Sequence, residues 1–549
     1  METEKVKYLI VGAGPAGLQM GFFLKEAGLD YLIVEKNESS GSFFAQFPIH
    51  RKLISINKKY NYFEEEEFNF RHDWNSLLSD NKEFRFGNYT DELFPSADLL
   101  CTYLKDYAEK LGLNIRYNTA VSMISKNENG QFEVKAKDGN LFLCEVLIIG
   151  TGPVSQNMPE EIEGIEHTTP YRNISLDLEK YKNKRVGILG GGNSAFETAD
   201  YLCGVAAYVH VFVKHPLKFA WQTHFVGDLR AINNNLLDMY QLKSLHAVLN
   251  PRIRKIRKLE DGTLQTQHEY DYPDSSVPGT LKLTRDYDYI INCTGFKYAN
   301  LSIFDNAIKP ETKMNDKFYE LNENWESKNV KNLYFIGTLM QGIDRKASSG
   351  FIHGFRYNVR TLSRLLRQFH ENEPYPVERV PLYPLENFLR LLYQRFSISA
   401  ALFQLFGFLG DMLVYDEENK EMEWYKELPV GYIHKIKPAD KHVFLLTLEF
   451  GFDKHMKPSI EFLGPSDPNN TSLAAFLHPV IRYCYQGQIT EFHFGDSLLG
   501  RWDMPHATGG AVASYHLEFY NWIAGIIGFE KKSIDPEAEN PSYAKWEVN

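Results

Sequence analysis

Two glycine-rich turns, each set between an apolar strand and a helix, constrain the fold of this 549-residue chain more than any other feature. The first is Gly12-Ala13-Gly14-Pro15-Ala16-Gly17, preceded by Tyr8-Leu9-Ile10-Val11. This order predicts a buried parallel strand, a tight turn at Gly12 and a helix over residues 15–27. Gly14 lets a pyrophosphate approach the backbone, and Gly17 lets the helix pack on the strand. The first helical N–H groups then point at the phosphates. The next apolar run, Tyr31-Leu32-Ile33-Val34, ends in Glu35-Lys36. Glu35 lies about 20 residues past the glycines, where a carboxylate holds ribose hydroxyls.

The second turn is Gly190-Gly191-Gly192-Asn193-Ser194-Ala195, and the strand that follows its helix ends in Lys214-His215. A cation there suits a ribose 2′-phosphate and favours NADPH over NADH, against the alternative of a solvated strand end. The first turn, with its acid, suits the adenosine half of FAD. Two such sites in one chain describe a flavoprotein oxidoreductase with a nicotinamide reductant. The expected FAD residues include Gly12, Gly14, Pro15, Ala16, Gly17, Glu35 and Lys36. The expected NADPH residues are Gly190, Gly192, Asn193, Ser194, Ala195, Lys214 and His215.

Two more apolar strands end in glycine turns, one at Gly150-Thr151-Gly152 and one at Thr294-Gly295, and the second dinucleotide unit lies between them. This order predicts an α/β chain with an NADPH domain (156–289) inserted into a split FAD domain (1–155 and 290–372). The FAD domain resumes with Leu333-Tyr334-Phe335-Ile336-Gly337 and a helix over 349–366. The start of that helix, Ser348-Ser349-Gly350-Phe351, is expected to face the flavin and stabilise negative charge on it. A proline-rich connector with Pro374, Pro376, Pro381 and Pro384 then leads to an α+β C-terminal extension (373–549).

The length fits about three domains, and the net charge of −11 argues against a nucleic-acid partner. No secretory signal precedes the first strand and residues 546–549 carry no retention signal, so a cytoplasmic location is expected. The apolar run 398–414 is interrupted by Gln404 and Asp411 and is too short to span a membrane. It reads as an amphipathic or buried helix, a lid or a dimer contact, which leaves a homodimer open. The cysteines at 101, 144, 203, 293 and 484 form no C-x-x-C, which counts against a local redox dithiol. His478, His493 and His506 lack metal-ligand spacing, and no metal is expected. The acidic run 64–67 and the basic run 252–258 read as solvated surface.

Several of these motifs resemble the flavin-containing (class B) monooxygenases. Gly190-Gly191-Gly192-Asn193-Ser194 is similar to their nicotinamide turn, and Gly41-Ser42-Phe43-Phe44 falls where they place a glycine–aromatic turn over the flavin. Leu53-Ile54-Ser55-Ile56-Asn57 falls where they carry an asparagine near the oxygen-reactive carbon, and Thr294-Gly295-Phe296 is similar to their second glycine turn. Longer strings resemble the FAD-dependent oxidoreductase-domain flavoproteins of the endoplasmic reticulum. Among them are Arg51-Lys52-Leu53-Ile54-Ser55-Ile56-Asn57-Lys58, Gly227-Asp228-Leu229-Arg230, Gly350-Phe351-Ile352-His353 and Phe476-Leu477-His478-Pro479.

The resemblance implies that NADPH reduces FAD, that a C4a-(hydro)peroxide forms with O2, and that a small-molecule amine, sulfur or aromatic ring is oxygenated. It makes Asn57 the expected catalytic donor. It adds Ser42, Phe43, Phe44, Arg51, Thr151, Gly152, Thr294, Gly295, Gly337, Gly350 and Phe351 to the cofactor residues. The F-x-G-x-x-x-H signature is only loosely echoed over residues 162–171, which leaves open an oxidase or a single-component flavin halogenase; a flavin redox partner of a protein, as disulfide reductase or scaffold, is the further alternative.

Overall fold

Tyr8, Leu9 and Ile10 are fully excluded from solvent, as the apolar run predicts. They belong to the strand Thr3–Val11, which pairs in parallel with Tyr31–Val34 on one side and Leu141–Ile149 on the other. Ile115–Arg116 extends this sheet beyond Tyr31–Val34. Leu333–Phe335 and the antiparallel strands Phe132–Ala136 and Val121–Lys126 continue it beyond Leu141–Ile149. Helix α1 (Pro15–Glu26) lies between the first two strands in sequence, with proline in its first turn, where the missing N–H costs nothing.

The computed structural model describes residues 3–239, 243–271, 280–451, 470–503 and 512–532. His506 and residues 546–549 lie outside them. Two compact units emerge: Met1–Lys58 with Asn75–Arg356, and Lys59–Trp74 with Tyr357–Asn549.

The first unit holds a second sheet, all parallel, in the order Ala247–Leu249, Tyr208–Phe212, Arg185–Leu189, Tyr289–Asn292, Thr169–Pro170. Helix α2 (Asn193–Leu202) follows the glycine turn and buries Ala195, Phe196, Ala199 and Leu202 among Val186, Ile188, Val209 and Val211. The basic run Arg252–Lys258 is one edge of a three-stranded antiparallel sheet with Leu264–Asp271 and Thr280–Tyr287. Its Ile253 and Ile256 face inward while most of its charges face water.

In the second unit, six antiparallel strands run in the order Glu378–Pro381, Glu421–Pro429, Leu409–Asp416, Val443–Phe450, Leu477–Tyr485, Gln488–His493. One aromatic-rich core joins this sheet to the helices Leu385–Ile398 and Val512–Ile527. Within it, the buried Glu427 carboxylate takes Arg360, Arg364 and Arg395 as partners, and Arg395 also pairs with Asp411. Buried charges of this kind require complete pairing, and here each has it.

Three sequence expectations change. The apolar run 398–414 is not one helix. It comprises the end of Leu385–Ile398, the short helix Ala400–Gln404, and the central strand Leu409–Asp416. The turn at Gly407 divides it, and the largely buried run around that turn lacks the periodicity that would separate strand from helix. The acidic run is not merely solvated: Glu65 pairs with Arg501 at 2.9 Å, and Glu67 accepts the Ala400 N–H at 3.0 Å. Helix α3 (Ile352–His370) starts later than residue 349, because Phe351 N–H closes a turn on Ser348 O at 3.0 Å. No helix among the described residues is long and apolar enough to cross a membrane, and no cluster among them could hold a metal.

Candidate functional site

The first cradle is built where two parallel strands end side by side. Gly12 adopts φ +110°, and a Cβ there would lie 2.6 Å from Gly150 O. Only glycine lets the two strand ends approach this closely. A Cβ on Gly14 would meet nothing within 4 Å, so the apex of the turn is open. Glu35, nearly buried, accepts the Ala13 N–H through Oε2 at 2.8 Å and Asn37 N–H through Oε1 at 3.0 Å. Gly41 N–H donates to Ala13 O at 3.0 Å, which ties the glycine–aromatic turn to the first fingerprint. Two hydroxyl oxygens, Thr151 Oγ1 and Thr338 Oγ1, are buried without a hydrogen-bond partner. Thr151 follows Gly150, and Thr338 follows Gly337, whose Cβ position lies 2.8 Å from Ala16 Cβ. An open apex, first-turn N–H groups, a fixed carboxylate and two orphaned hydroxyls are what a pyrophosphate and its sugars require. These residues fit FAD.

Some of the other expected FAD residues lie in or beside this cradle. Pro15, Ala16 and Gly17 form the buried first turn of α1, and Gly350 is buried just ahead of α3. Ser42 Oγ donates to Glu35 Oε1 at 3.4 Å, while Lys36 is exposed. Phe43 packs with Phe44, Phe47 and Phe296, with ring centroids 5.0 to 6.4 Å apart. Asp344, unremarked in the sequence, accepts the N–H groups of Lys346 and Ala347 at 3.0 and 2.9 Å and orders the approach to α3.

Two expected residues are engaged elsewhere. The Arg51 guanidinium donates to Asp98 at 2.6 Å. Asn57 is nearly buried, and its amide donates to the carbonyls of Thr90 at 2.9 Å and Glu92 at 3.3 Å. Its N–H groups therefore hold the turn at 90–93.

The second cradle repeats the geometry. Gly190 has φ +132°, with its Cβ position 2.4 Å from Cys293 O, and Gly192 opens onto free space. Ser194 and Ala195 continue the first turn of α2. Thr294 is taken up by Asn157, whose carbonyl accepts its hydroxyl at 3.0 Å, and Gly295 O accepts Asn157 N–H at 2.8 Å. Lys214 and His215 are exposed at the strand end, where Lys214 Nζ pairs with Glu161 at 3.2 Å. Asn193 does not turn its side chain to the open cradle. Its Oδ1 accepts Arg230 N–H at 2.9 Å and its Nδ2 donates to Asp228 O at 2.9 Å.

Side chains join the two cradles. Tyr171 donates its hydroxyl to Glu197 on α2 and accepts Ile49 N–H at 3.2 Å, while Phe47 stacks on its ring. Burial pushes the Glu197 carboxyl up to about 7 and the Tyr171 phenol well above its ordinary range. His50 meets Thr198 at 3.2 Å, and burial pushes its imidazole down to about 4. Sequence spacing gave no signal for the Ile49–Tyr171 and His50–Thr198 contacts, because each joins residues more than a hundred positions apart.

All five cysteines are free thiols. Cys144, Cys293 and Cys484 are buried. Burial also raises the thiols of Cys101, Cys144, Cys203 and Cys293, which disfavours the nucleophilic thiolate.

Residues 9–337 match the family model described as pyridine nucleotide-disulphide oxidoreductase. The chain is 35% identical over 515 residues to FAD-dependent oxidoreductase domain-containing protein 2 of Mus musculus, an alignment covering 87% of this chain and 76% of that protein. Among solved structures, a flavin-containing monooxygenase from Stenotrophomonas maltophilia superposes with a TM-score of 0.51 at 20% identity, covering 67% of this chain and 99% of that one. The bacillithiol disulfide reductase Bdr (YpdA) from Staphylococcus aureus superposes with a TM-score of 0.50 at 19% identity, over 67% and 99%. Both structural likenesses concern the fold.

Proposed function

The chain belongs to the pyridine nucleotide-disulphide oxidoreductase family, and we propose that within it this chain is an NADPH-dependent FAD monooxygenase that oxygenates a small molecule at an amine nitrogen, a sulfur or an aromatic ring. In this reading residues 1–155 and 290–372 bind FAD, 156–289 bind NADPH, and 373–549 form an extension with a separate role. Bound FAD supplies the two-electron exchange between nicotinamide and O2. The protein's own residues do the rest. Gly12, Gly14 and the first turn of α1 hold the pyrophosphate, and Glu35, with its carboxylate fixed by Ala13, holds ribose hydroxyls. Thr151 and Thr338 offer their unpartnered hydroxyls to the same cofactor. Gly190, Gly192 and the first turn of α2 hold the second pyrophosphate, with Lys214 turning from Glu161 to the 2′-phosphate. With FAD bound, the N-terminal end of α3 would offer its positive dipole to negative charge on the reduced ring. Asn57 acts by fixing the 90–93 turn.

The observation that carries oxygen, rather than a disulfide, as the electron acceptor is the state of the thiols: three are buried, and burial raises four of the five. The test is anaerobic reduction of the FAD-loaded protein by NADPH in a stopped-flow instrument, followed by mixing with O2 and a panel of amines, thioethers and indoles. An oxygenated product, formed equally by the Cys101→Ser and Cys203→Ser variants, supports the reading. Loss of turnover in either variant, with disulfide as the productive acceptor, removes it.

A further inference from the structure

Asn193 stands in the first turn of α2, beside the open Gly192, yet its side chain is spent on the loop 227–233. Its Oδ1 accepts Arg230 N–H at 2.9 Å and Asn233 Nδ2–H at 3.1 Å, and its Nδ2 donates to Asp228 O at 2.9 Å. From that anchored loop the Arg230 guanidinium reaches Ile54, where Nη1 donates to the carbonyl at 3.0 Å. Ile54 belongs to the segment that ends in the buried Asn57. The other end of the loop meets the start of α3: the Phe225 and Phe351 rings are 6.0 Å apart. A Cβ on Gly227 would lie 2.5 Å from the Phe225 ring and 3.1 Å from that of Phe351, so the loop has no room to shift toward α3. One loop therefore touches the second glycine turn, the segment 53–57 and the turn that leads into α3, the last two of which the proposed function assigns to the flavin.

We propose that Asn193 and Arg230 are positioning residues that set the nicotinamide for hydride transfer to the flavin, a role that rests on the proposed NADPH-dependent reduction. In that step one hydride, carrying two electrons, leaves NADPH to give NADP+ and is taken up by FAD. Neither side chain touches the hydride. Asn193 senses the occupied glycine turn through its own backbone, and Arg230 carries that position to the backbone at Ile54. The loop does not depend on the guanidinium for its fold, because Leu229 is buried and pairs with Ala220 N–H and Lys218 O at 3.0 and 2.9 Å. Burial disfavours the charged guanidinium, so its bond to the Ile54 carbonyl offsets a real desolvation cost.

The test is anaerobic reduction of the full-length, FAD-loaded protein over a range of NADPH concentrations, for wild type, Arg230→Ala, Arg230→Lys, Asn193→Ala and Gly227→Ala. The limiting reduction rate constant is expected to fall about tenfold to a hundredfold in the two truncations and in Gly227→Ala, while the NADPH dissociation constant changes less than about threefold. Arg230→Lys, which keeps a donor, is expected to recover part of the rate. A limiting rate constant within about twofold of wild type in the truncations overturns the proposal. So does a dissociation constant that rises in parallel with the loss of rate. If a truncation fails to retain FAD, Gly227→Ala decides by the same criterion. A wild-type protein that holds FAD but is reduced by neither NADPH nor NADH overturns the functional reading, and this proposal with it.

Discussion

The N–H of Ala13 donates to Oε2 of Glu35 at 2.8 Å, joining the glycine turn of the first motif to its acid 22 residues later. The carboxylate that would hold ribose is thus fixed before any cofactor arrives, and its Oε1 is oriented by both N–H groups of Asn37 at 3.0 Å. Glu35→Ala removes the acceptor and leaves a buried backbone N–H unpaired, a cost of about 1–3 kcal/mol. FAD affinity is expected to fall about tenfold to a hundredfold. The flavin-to-protein absorbance ratio after dialysis measures it, and an unchanged ratio removes Glu35 from the site.

Gly14 and Gly17 separate cofactor space from protein space. A Cβ on Gly14 meets no protein atom within 4 Å, and its φ of −73° is open to any residue. A Cβ on Gly17 would lie 1.9 Å from Gly12 O. Gly14→Val should therefore give a folded protein that purifies colourless, whereas Gly17→Ala should be destabilised with or without cofactor. Circular dichroism together with FAD titration separates the two; a Gly14→Val protein that binds FAD normally contradicts the placement of the pyrophosphate.

Lys214 and Glu161 are both exposed, and an ion pair of this kind contributes about 0–1 kcal/mol, so it opens readily to a competing anion. Glu161→Gln should leave Lys214 to the 2′-phosphate alone and raise the preference for NADPH over NADH several-fold. Lys214→Glu should reverse that preference. The ratio of kcat/KM for the two nicotinamides reads both, and a ratio unmoved by either substitution excludes Lys214 from the phosphate site.

Glu197 gives a pH dependence of known sign. Its folded carboxyl keeps a proton up to about 7, against an ordinary value of 4.5, so between those values the folded state binds more protons than the unfolded chain. Stability from this group is greatest at low pH and is lost as the pH rises toward 7, by an amount on the order of 3 kcal/mol. Glu197→Gln keeps an acceptor for the Tyr171 hydroxyl and removes the titration. Its Tm should fall less than that of wild type between about pH 5 and about pH 8. Parallel curves would place the Glu197 titration elsewhere.

The dinucleotide cradles were legible in sequence because their signals are local. A strand, a glycine turn, a helix and a strand-end residue lie within a few dozen positions, and the backbone geometry of Gly12 and Gly190 follows from the absence of a side chain. The run 398–414 was misread as a helix because it is largely buried, which weakens the periodicity that distinguishes strand from helix. The direction of the Asn193 amide was not legible, because motif position says where a residue stands, not where its side chain turns.

The sequence by itself determined that this chain carries two parallel strand–turn–helix–strand units with glycine turns, since at Gly12 and Gly190 the close approach of a neighbouring strand end leaves no room for a side chain. Only the tertiary structure decided what joins them. Ile49 to Tyr171, His50 to Thr198 and Arg230 to Ile54 are each contacts between distant segments. Their partners are chosen by the packing of the folded chain, which no spacing along the chain encodes.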